Sequence, residues 1–596
     1  MSHSGELSQQ RRVIASDGVS LAVYEHGSGA GGTNGEVTVL AVHGYPDDHT
    51  VWDGVVAELA RRYRVVSYDV RGAGASGEPR NREGYRIEQL TADLAAVADA
   101  VSPGRPVHLL GHDWGSIQCW HAVTDSRLAS RFASFTSISG PSLDHVRHWM
   151  RSRVARPTPR RLGQLTRQAA SSGYIGLFQL PVLPETLWRS RFMTRLMRMI
   201  SRGDTGIVTP QVGDAVRGLE MYRANMLGRL ASGRSGSTDG TAVPVQVLVP
   251  TKDAYVTPAL QSDVADWSAQ PYLRRIPTGH WLPRSHPQVV ARCAGELIDH
   301  VSGADTTNPT LRRAAARATA EHSGRRNQGS VVVVTGAGSG IGRATALAFA
   351  ERGADVVIAD LNAHAAEETR WLAAASGVRA VAHQVDVSDR AGMEAFAKKV
   401  TSEFGVPDIV VNNAGIGMAG AFLQTSEDDW RRVIDVNLWG VIHGCRVFGE
   451  LMVRHGEGGT LVNIASAAAY VPSRGLPAYA TTKAAVLMLS ECLRGEFADY
   501  GIGVQAICPG LINTNITATT RFVGEDNTEE RRRQQAASAA YDRRNYSPER
   551  VAREILDAVD HNRAVTPVTP EARIGLVASR LTPSLLRAAA RREINI

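Results

Sequence analysis

Midway along the chain, Val331-Val-Val-Val-Thr-Gly-Ala-Gly-Ser-Gly-Ile-Gly342 runs a β-branched stretch into a glycine-rich turn, then into the helix-forming Arg343-Ala-Thr-Ala-Leu-Ala-Phe-Ala350. Four consecutive valines suit a strand buried on both faces, the position of a central strand in a parallel sheet. Glycines at 336, 340 and 342 let the turn close tightly and let phosphate oxygens reach backbone N–H groups at a helix N-terminus. A strand that opens such a site is normally the first of its sheet, so a complete domain starts near residue 328. The roughly 300 residues ahead of it need a core of their own.

A chain of 596 residues exceeds a single core, so two or more domains are expected. Its five cysteines (119, 293, 445, 492 and 508) form no CxxC pair and no His–Cys ligand spacing. They read as buried thiols of a reducing compartment, with neither a disulfide framework nor a metal site. The N-terminus is polar, and no uninterrupted apolar run approaches the ~20 residues that span a bilayer. A cytosolic protein follows, with contact at a membrane surface left open. The net charge of +7 is uneven: residues 151–234 hold fifteen arginines against Glu185, Asp204, Asp214 and Glu220. Such a cluster suits acidic headgroups or anionic substrates, or is simply a solvated basic face. No zinc finger, RNA-binding signature or aromatic-interleaved basic stripe supports nucleic acid.

Ahead of the glycine turn, strand-like runs alternate with helical stretches, the rhythm of a parallel α/β sheet. Residues 37–42 lead into His43-Gly-Tyr-Pro-Asp47, and residues 63–69 into Arg71-Gly-Ala-Gly-Ala-Ser76. Residues 144 to 240 break the rhythm, being arginine-rich, helical in pattern and punctuated by prolines; residues 243–249 resume the sheet. The turn Gly111-His-Asp-Trp-Gly115 has the small-x-nucleophile-x-small form of a nucleophile elbow, with Asp113 where hydrolases usually carry serine. Asp253, after a strand, and His280, in Gly279-His-Trp, complete the order nucleophile, acid, histidine. An ionised carboxylate at this turn needs no base to act as a nucleophile.

Over residues 10–300 these features resemble the α/β-hydrolase fold, specifically epoxide hydrolases and their haloalkane dehalogenase cousins, with a helical cap at about 144–240. The resemblance implies roles for two cap tyrosines, Tyr174 ahead of Phe178-Gln179 and Tyr222 in Glu220-Met-Tyr-Arg-Ala-Asn-Met226, as donors to the opening alkoxide. Dehalogenases do not need that pair, so epoxide opening is favoured. It also implies that water, deprotonated by His280 with Asp253 orienting the ring, cuts the resulting ester, and that the N–H groups of Tyr45 and Trp114 form the oxyanion hole.

Residues 301–327 are polar, basic and rich in small residues, the composition of a linker with one short helix. Beyond the glycine turn, Asp355-Val-Val-Ile-Ala-Asp360 is the next strand, and Asp360 lies 18 residues past Gly342. A carboxylate there accepts hydrogen bonds from ribose hydroxyls and repels a 2′-phosphate, favouring NAD over NADP. Further strands end at Asp386-Val387 and run through Asp408-Ile-Val-Val-Asn-Asn-Ala-Gly415. Asn437 then lies in Asp435-Val-Asn-Leu, Ser466 follows the strand at 460–465, and Tyr479-Ala-Thr-Thr-Lys483 opens a helix. Tyr479 and Lys483, at i and i+4, share one helix face.

This set, across residues 328 to about 560 of a domain placed at 328–596, with Pro509-Gly510 and Thr514 after the sixth strand, resembles the short-chain dehydrogenase/reductase family. The resemblance implies a Rossmann-type doubly wound parallel sheet. It implies a nicotinamide site formed by Gly336, Ser339, Gly340, Ile341, Gly342, Asp360, Asp386, Val387, Asn413, Tyr479, Lys483, Pro509, Gly510 and Thr514. Tyr479 would be the general acid/base, its phenol drawn from ~10 toward 7 by the Lys483 ammonium and the oxidised nicotinamide. Ser466 would hold the substrate oxygen, and Asn437 a water that relays protons to Lys483. Arginines at 573, 580, 587 and 591 mark one face of a C-terminal helix that Pro583 interrupts, suited to a membrane surface, to domain docking or to an ordinary terminal helix.

The whole resembles an actinobacterial fusion of an epoxide hydrolase with a short-chain dehydrogenase. A bifunctional enzyme is expected, acting on small-molecule or lipid-like epoxides and on alcohols or ketones, and associating into homo-oligomers through the dehydrogenase part. Two rivals stand beside it: an oxidoreductase whose hydrolase domain only binds substrate, and a membrane-surface scaffold working through the basic cap and tail.

Overall fold

The computed structural model describes residues 9–27, 37–231, 240–514, 516, 520–525, 527–544 and 546–590. Arg234 of the cap cluster and Arg591 of the tail lie outside them. The chain divides into two compact units, Met1–Thr319 and Ala320–Ile596.

The first unit is built on an eight-stranded sheet: β1 Gln9–Ile14, β2 Ser20–His26, β3 Thr38–Val42, β4 Arg64–Tyr68, β5 Val107–His112, β6 Phe132–Ile138, β7 Val245–Pro250 and β8 Pro271–Ile276. The order is β1-β2-β4-β3-β5-β6-β7-β8, with β2 antiparallel to β1 and to β4 and the remaining pairs parallel. Alternate residues of β3 feed opposite cores: Leu40 and Val42 pack with Leu109, Trp114 and Phe135, whereas Val39 and Ala41 pack with Trp52, Leu110 and Ile298. That two-sided burial is why the inner strands read as continuous apolar runs. Between β6 and β7 the cap folds as helices Leu143–Ala155, Pro159–Ser171, Gly173–Phe178, Leu183–Arg189, Phe192–Ile200 and Val212–Ala231.

The second unit carries β9 Val331–Thr335, β10 Asp355–Asp360, β11 Ala380–Gln384, β12 Ile409–Asn412, a short β13 Met418–Ala419, β14 Gly459–Ile464, β15 Ile502–Cys508, β16 Arg521–Phe522 and β17 Val565–Pro567. The main sheet is parallel in the order β11-β10-β9-β12-β14-β15-β17. The valine run is buried on both sides: Val331 and Val333 belong to one core layer, Val332 and Val334 to the other. The strand order reverses between β9 and β12, so a crevice opens at their carboxyl ends, beside the glycine turn.

Two expectations need correction. The stretch at 301–327 is not mainly a linker: helix Pro309–Ser323 fills half of it, and Leu311 and Ala314 pack on Tyr272 and Leu297 of the first unit. The small residues that suggested a linker form the helix's apolar face. Cys492 is exposed on helix Pro477–Glu496, while the other four thiols are buried. No described helix is long and apolar enough to cross a membrane. Leu311→Ala should loosen helix Pro309–Ser323 by about 2 kcal/mol, seen as faster tryptic cleavage at Arg312 and Arg317.

Candidate functional site

In the first unit the chain turns from β5 into helix Trp114–Thr124 at Asp113, whose backbone takes φ 50° and ψ −122°. A Cβ on Gly115 would stand 2.1 Å from the Val42 carbonyl oxygen, and one on Gly111 would stand 2.8 Å from the Ser116 Cα. Only small residues allow this turn, which stores strain and projects the Asp113 side chain over the sheet edge. Asp113 is 8% exposed. Its Oδ1 accepts the Tyr45 N–H at 2.9 Å, and the Trp114 N–H also hydrogen-bonds the carboxylate. Burial raises the Asp113 pKa, opposed by the charge of His280.

His280 joins the strand ends. Its Nδ1 lies 3.1 Å from Asp253 Oδ2, and its Nε2 lies 3.7 Å from Asp113 Oδ2. The other oxygen of Asp253 accepts the N–H groups of Tyr255 (2.8 Å) and Val256 (3.0 Å), which fixes the carboxylate's direction. Burial alone would strip the proton from His280, yet Asp253, Asp113 and Asp204 outweigh it and lift the pKa to about 9. These charges favour the protonated ring at neutral pH, and removal of one of them would release the proton.

Both cap tyrosines come to this carboxylate. Tyr222, on helix Val212–Ala231, packs edge-on against Trp114 (5.1 Å between centroids), Tyr45 (5.3 Å) and Tyr174 (6.0 Å). Burial, then Asp113, raises the phenol of Tyr174; burial, Tyr174 and Asp113 together raise that of Tyr222, so both stay protonated donors. Phe178, Trp188 and Tyr255 complete an aromatic wall.

Asp204 had been noted only as one acid in a basic cap. Its carboxylate crosses from the cap to accept the N–H of Trp281 at 3.1 Å and that of Gly206 at 2.9 Å. A Cβ on Gly279 would meet Asp204 Oδ2 at 2.2 Å, so the glycine before His280 admits this latch. The sequence holds no local signal for it. Asp47 was likewise missed: it receives Trp281 Nε1–H at 2.9 Å and pairs with Arg284.

In the second unit, Gly336 (φ 62°) and Gly340 (φ 54°) take left-handed conformations. A Cβ on Gly342 would stand 2.2 Å from the Gly336 carbonyl oxygen. Asn413 Nδ2 donates to the carbonyls of Thr335 and Gly336, each at 3.0 Å, bracing the turn from β12. Ser339 begins helix Gly340–Glu351 without capping it through its own side chain, and Ile341 packs into the adjoining core. Asp360, at the end of β10, accepts the N–H of Gly338 (2.8 Å) and of Asn362 (2.9 Å), so Gly338 joins the predicted set. Asp386 caps its own turn through Ser388, and Val387 is buried against Gly440. Thr514 lies beside Gly340, and Pro509 accepts the Ala467 N–H at 2.7 Å. Gly510 sits against Thr569 and Glu571. This cradle, with open amides at a helix N-terminus and no room for side chains, fits a dinucleotide.

The Tyr479–Lys483 pair lies on helix Pro477–Glu496, with Lys483 Nζ 5.8 Å from the Tyr479 ring centre and donating to the Ile464 carbonyl at 2.9 Å. Burial lowers Lys483 to about 8, opposed by Cys508. The phenol is not drawn down by the protein alone: burial raises it, and a hydrogen bond with Ser466 only opposes the rise. Asn437 lies in a π turn, Asp435–Trp439, that re-aims its side chain inward. Its amide is engaged with the Ile416 N–H (2.8 Å) and carbonyl (3.0 Å), fastening the loop after β12.

The alpha/beta hydrolase fold model matches residues 37–287 and the short chain dehydrogenase model residues 330–522. Over 595 residues, 98% of this chain and 98% of the relative, the sequence is 41% identical to the "Probable oxidoreductase EphD" of Mycobacterium tuberculosis. It is 37% identical over 232 residues to the short chain dehydrogenase/reductase astE of Aspergillus oryzae, 38% of this chain and 87% of the relative. A solved short chain dehydrogenase/reductase from Burkholderia phymatum in complex with NAD is 29% identical, covering 44% of this chain and 95% of that one at TM-score 0.40.

Because the folded-state pKa of His280, about 9, exceeds its ordinary 6.5, its contribution to stability is complete below pH 6.5 and is lost as pH rises through 9. Urea titrations of wild type and His280→Gln should differ in pH dependence across that window by on the order of 3 kcal/mol.

Proposed function

The chain belongs to the family of EphD oxidoreductases, an α/β-hydrolase domain joined to a short-chain dehydrogenase/reductase domain, and from that premise we propose an enzyme that opens epoxides to vicinal diols and oxidises or reduces alcohols and ketones with NAD(H). The observation that supports the first activity best is the His280 ring set between Asp113 and Asp253 beneath two buried phenols.

Asp113 attacks a ring carbon; the C–O bond breaks as the ester forms, and the departing oxygen takes a proton from Tyr174 or Tyr222. The phenol is restored by the proton that His280 carried. With Asp113 esterified, one of the charges that held this proton is gone, and burial favours the neutral ring. His280 then takes a proton from water as the hydroxide adds to the ester carbonyl. The oxyanion is met by the N–H groups of Tyr45 and Trp114, already directed at this carboxyl. Collapse releases the diol and returns the ion pair. The aromatic wall suits an apolar, lipid-like epoxide.

A nicotinamide dinucleotide held by the glycine turn, Asp360 and Lys483 would supply hydride acceptance or donation in the second domain. Tyr479 passes the proton to or from the substrate oxygen, Ser466 orients that oxygen, and Lys483 holds a positive charge beneath the phenol. Asn437 keeps the loop after β12 in place. Asp360, a carboxylate at the end of β10, would accept ribose hydroxyls and repel a 2′-phosphate, which favours NAD.

Asp113→Asn should abolish diol formation from racemic epoxides, while His280→Gln should accumulate protein heavier by the mass of the epoxide. Diol production at the wild-type rate by Asp113→Asn would leave the oxidoreductase-only reading. Tyr479→Phe should lower NAD-dependent turnover at least a thousandfold, about 4 kcal/mol, with diol formation unchanged. Asp360→Ala should narrow the preference for NAD over NADP, measured as the ratio of kcat/KM.

A further inference from the structure

The cap helices Leu183–Arg189 and Phe192–Ile200 carry a surface that the chemistry above does not use. Leu180, Val182 (70% exposed) and Leu183 form an apolar tip, followed by exposed Phe192 (51%), Met199 (55%) and Ile200. Exposed arginines at 189, 191, 195, 198 and 202 are interleaved with them. The acids of the cap do not neutralise this face. Glu185 and Glu220 pair with Arg223, Asp214 pairs with Arg217, and Asp204 faces the His280 loop. Among the described residues none of those five arginines has an acidic partner; Arg198 donates to Thr209 Oγ1 at 2.8 Å.

The tip is held outward against a backbone preference. Val182 takes φ 65°, a left-handed conformation that a β-branched residue rarely adopts, and Arg191, before the next helix, takes φ 59°. The underside is fastened: Arg223 donates to the carbonyls of Phe178 (3.0 Å) and Leu180 (2.6 Å), while Pro184 and Trp188 are buried. A strained turn that exposes valine gains nothing in water. Apolar groups ringed by unpaired guanidinium groups are what an acidic bilayer surface stabilises, the side chains entering the acyl boundary and the arginines meeting headgroups. We infer that residues 180–202 of the cap dock on anionic lipid bilayers. Trp188 reaches through to Tyr45, so helix Leu183–Arg189 also contributes to the wall of the hydrolase cleft.

The test uses the full chain and vesicles of phosphatidylcholine with or without 30% phosphatidylglycerol. The wild type should sediment with the anionic vesicles only, and less as salt is raised. Arg195→Gln with Arg198→Gln should weaken partitioning about twentyfold, near fivefold per guanidinium. Val182→Ser with Leu183→Ser and Phe192→Ser should weaken it to a similar degree while keeping the salt dependence. Diol formation from a short, water-soluble epoxide should be unchanged in both variants, which shows them folded. Inorganic phosphate at matched ionic strength should not displace the protein. Failure of the wild type to bind anionic vesicles overturns the inference whatever the variants do. So does equal binding by the variants, or a loss of self-association in place of lipid binding.

Discussion

One proton, held by His280 among three carboxylates and out of water, is the condition on which the first domain depends. Burial opposes the charge, and the carboxylates prevail because each is fixed by other bonds: Asp253 by two amides, Asp113 by the amides of Tyr45 and Trp114, Asp204 by those of Trp281 and Gly206. None can swing away to be hydrated. The neighbouring His112 shows the other outcome. It is buried without such company, its ring bonded to the His280 carbonyl at 3.0 Å, and it stays neutral. Two adjacent buried histidines are thus pushed in opposite directions, His280 by carboxylates and His112 by burial and by its cationic neighbours.

The second domain solves a different electrostatic problem at the same place on its sheet, the carboxyl ends of parallel strands. Lys483, the one buried lysine or arginine among its described residues, is lowered to about 8 by burial and has a carbonyl rather than a carboxylate for company. Its phenol remains above the ordinary range. A carboxylate beside Lys483 would hold the ammonium more firmly and neutralise the field that the phenolate needs. On the proposed reading, leaving that charge uncompensated keeps it available to a developing phenolate and would tie the acidity of Tyr479 to the charge of a bound nicotinamide.

The sequence was legible wherever the chemistry demanded a local pattern. The glycine turn, the elbow around Asp113 and the Tyr479–Lys483 spacing each encode backbone geometry within a dozen residues, and the two sheets follow from strands that read as buried runs. What escaped depends on contacts between distant segments. Asp204 meets Trp281 only because the cap returns over β8, and nothing near residue 204 announces it. The π turn at Asn437 has no signature of its own. The length and docking of helix Pro309–Ser323 were hidden by alanines, which look alike in a linker and on a helix face until Tyr272 and Leu297 are seen beneath them.

The pairing of the two domains has a chemical logic of its own on the proposed reading. Opening a strained ring is effectively irreversible, redox-neutral and leaves a carbinol beside a second hydroxyl. Hydride exchange between a carbinol and a nicotinamide is readily reversed, its direction set by supply. An irreversible source of carbinol ahead of a reversible oxidation draws the second reaction toward the hydroxyketone. Such an arrangement needs no passage between the sites: the diol has only to accumulate near the second domain, and a common chain guarantees equal amounts of both catalysts wherever the substrate is met.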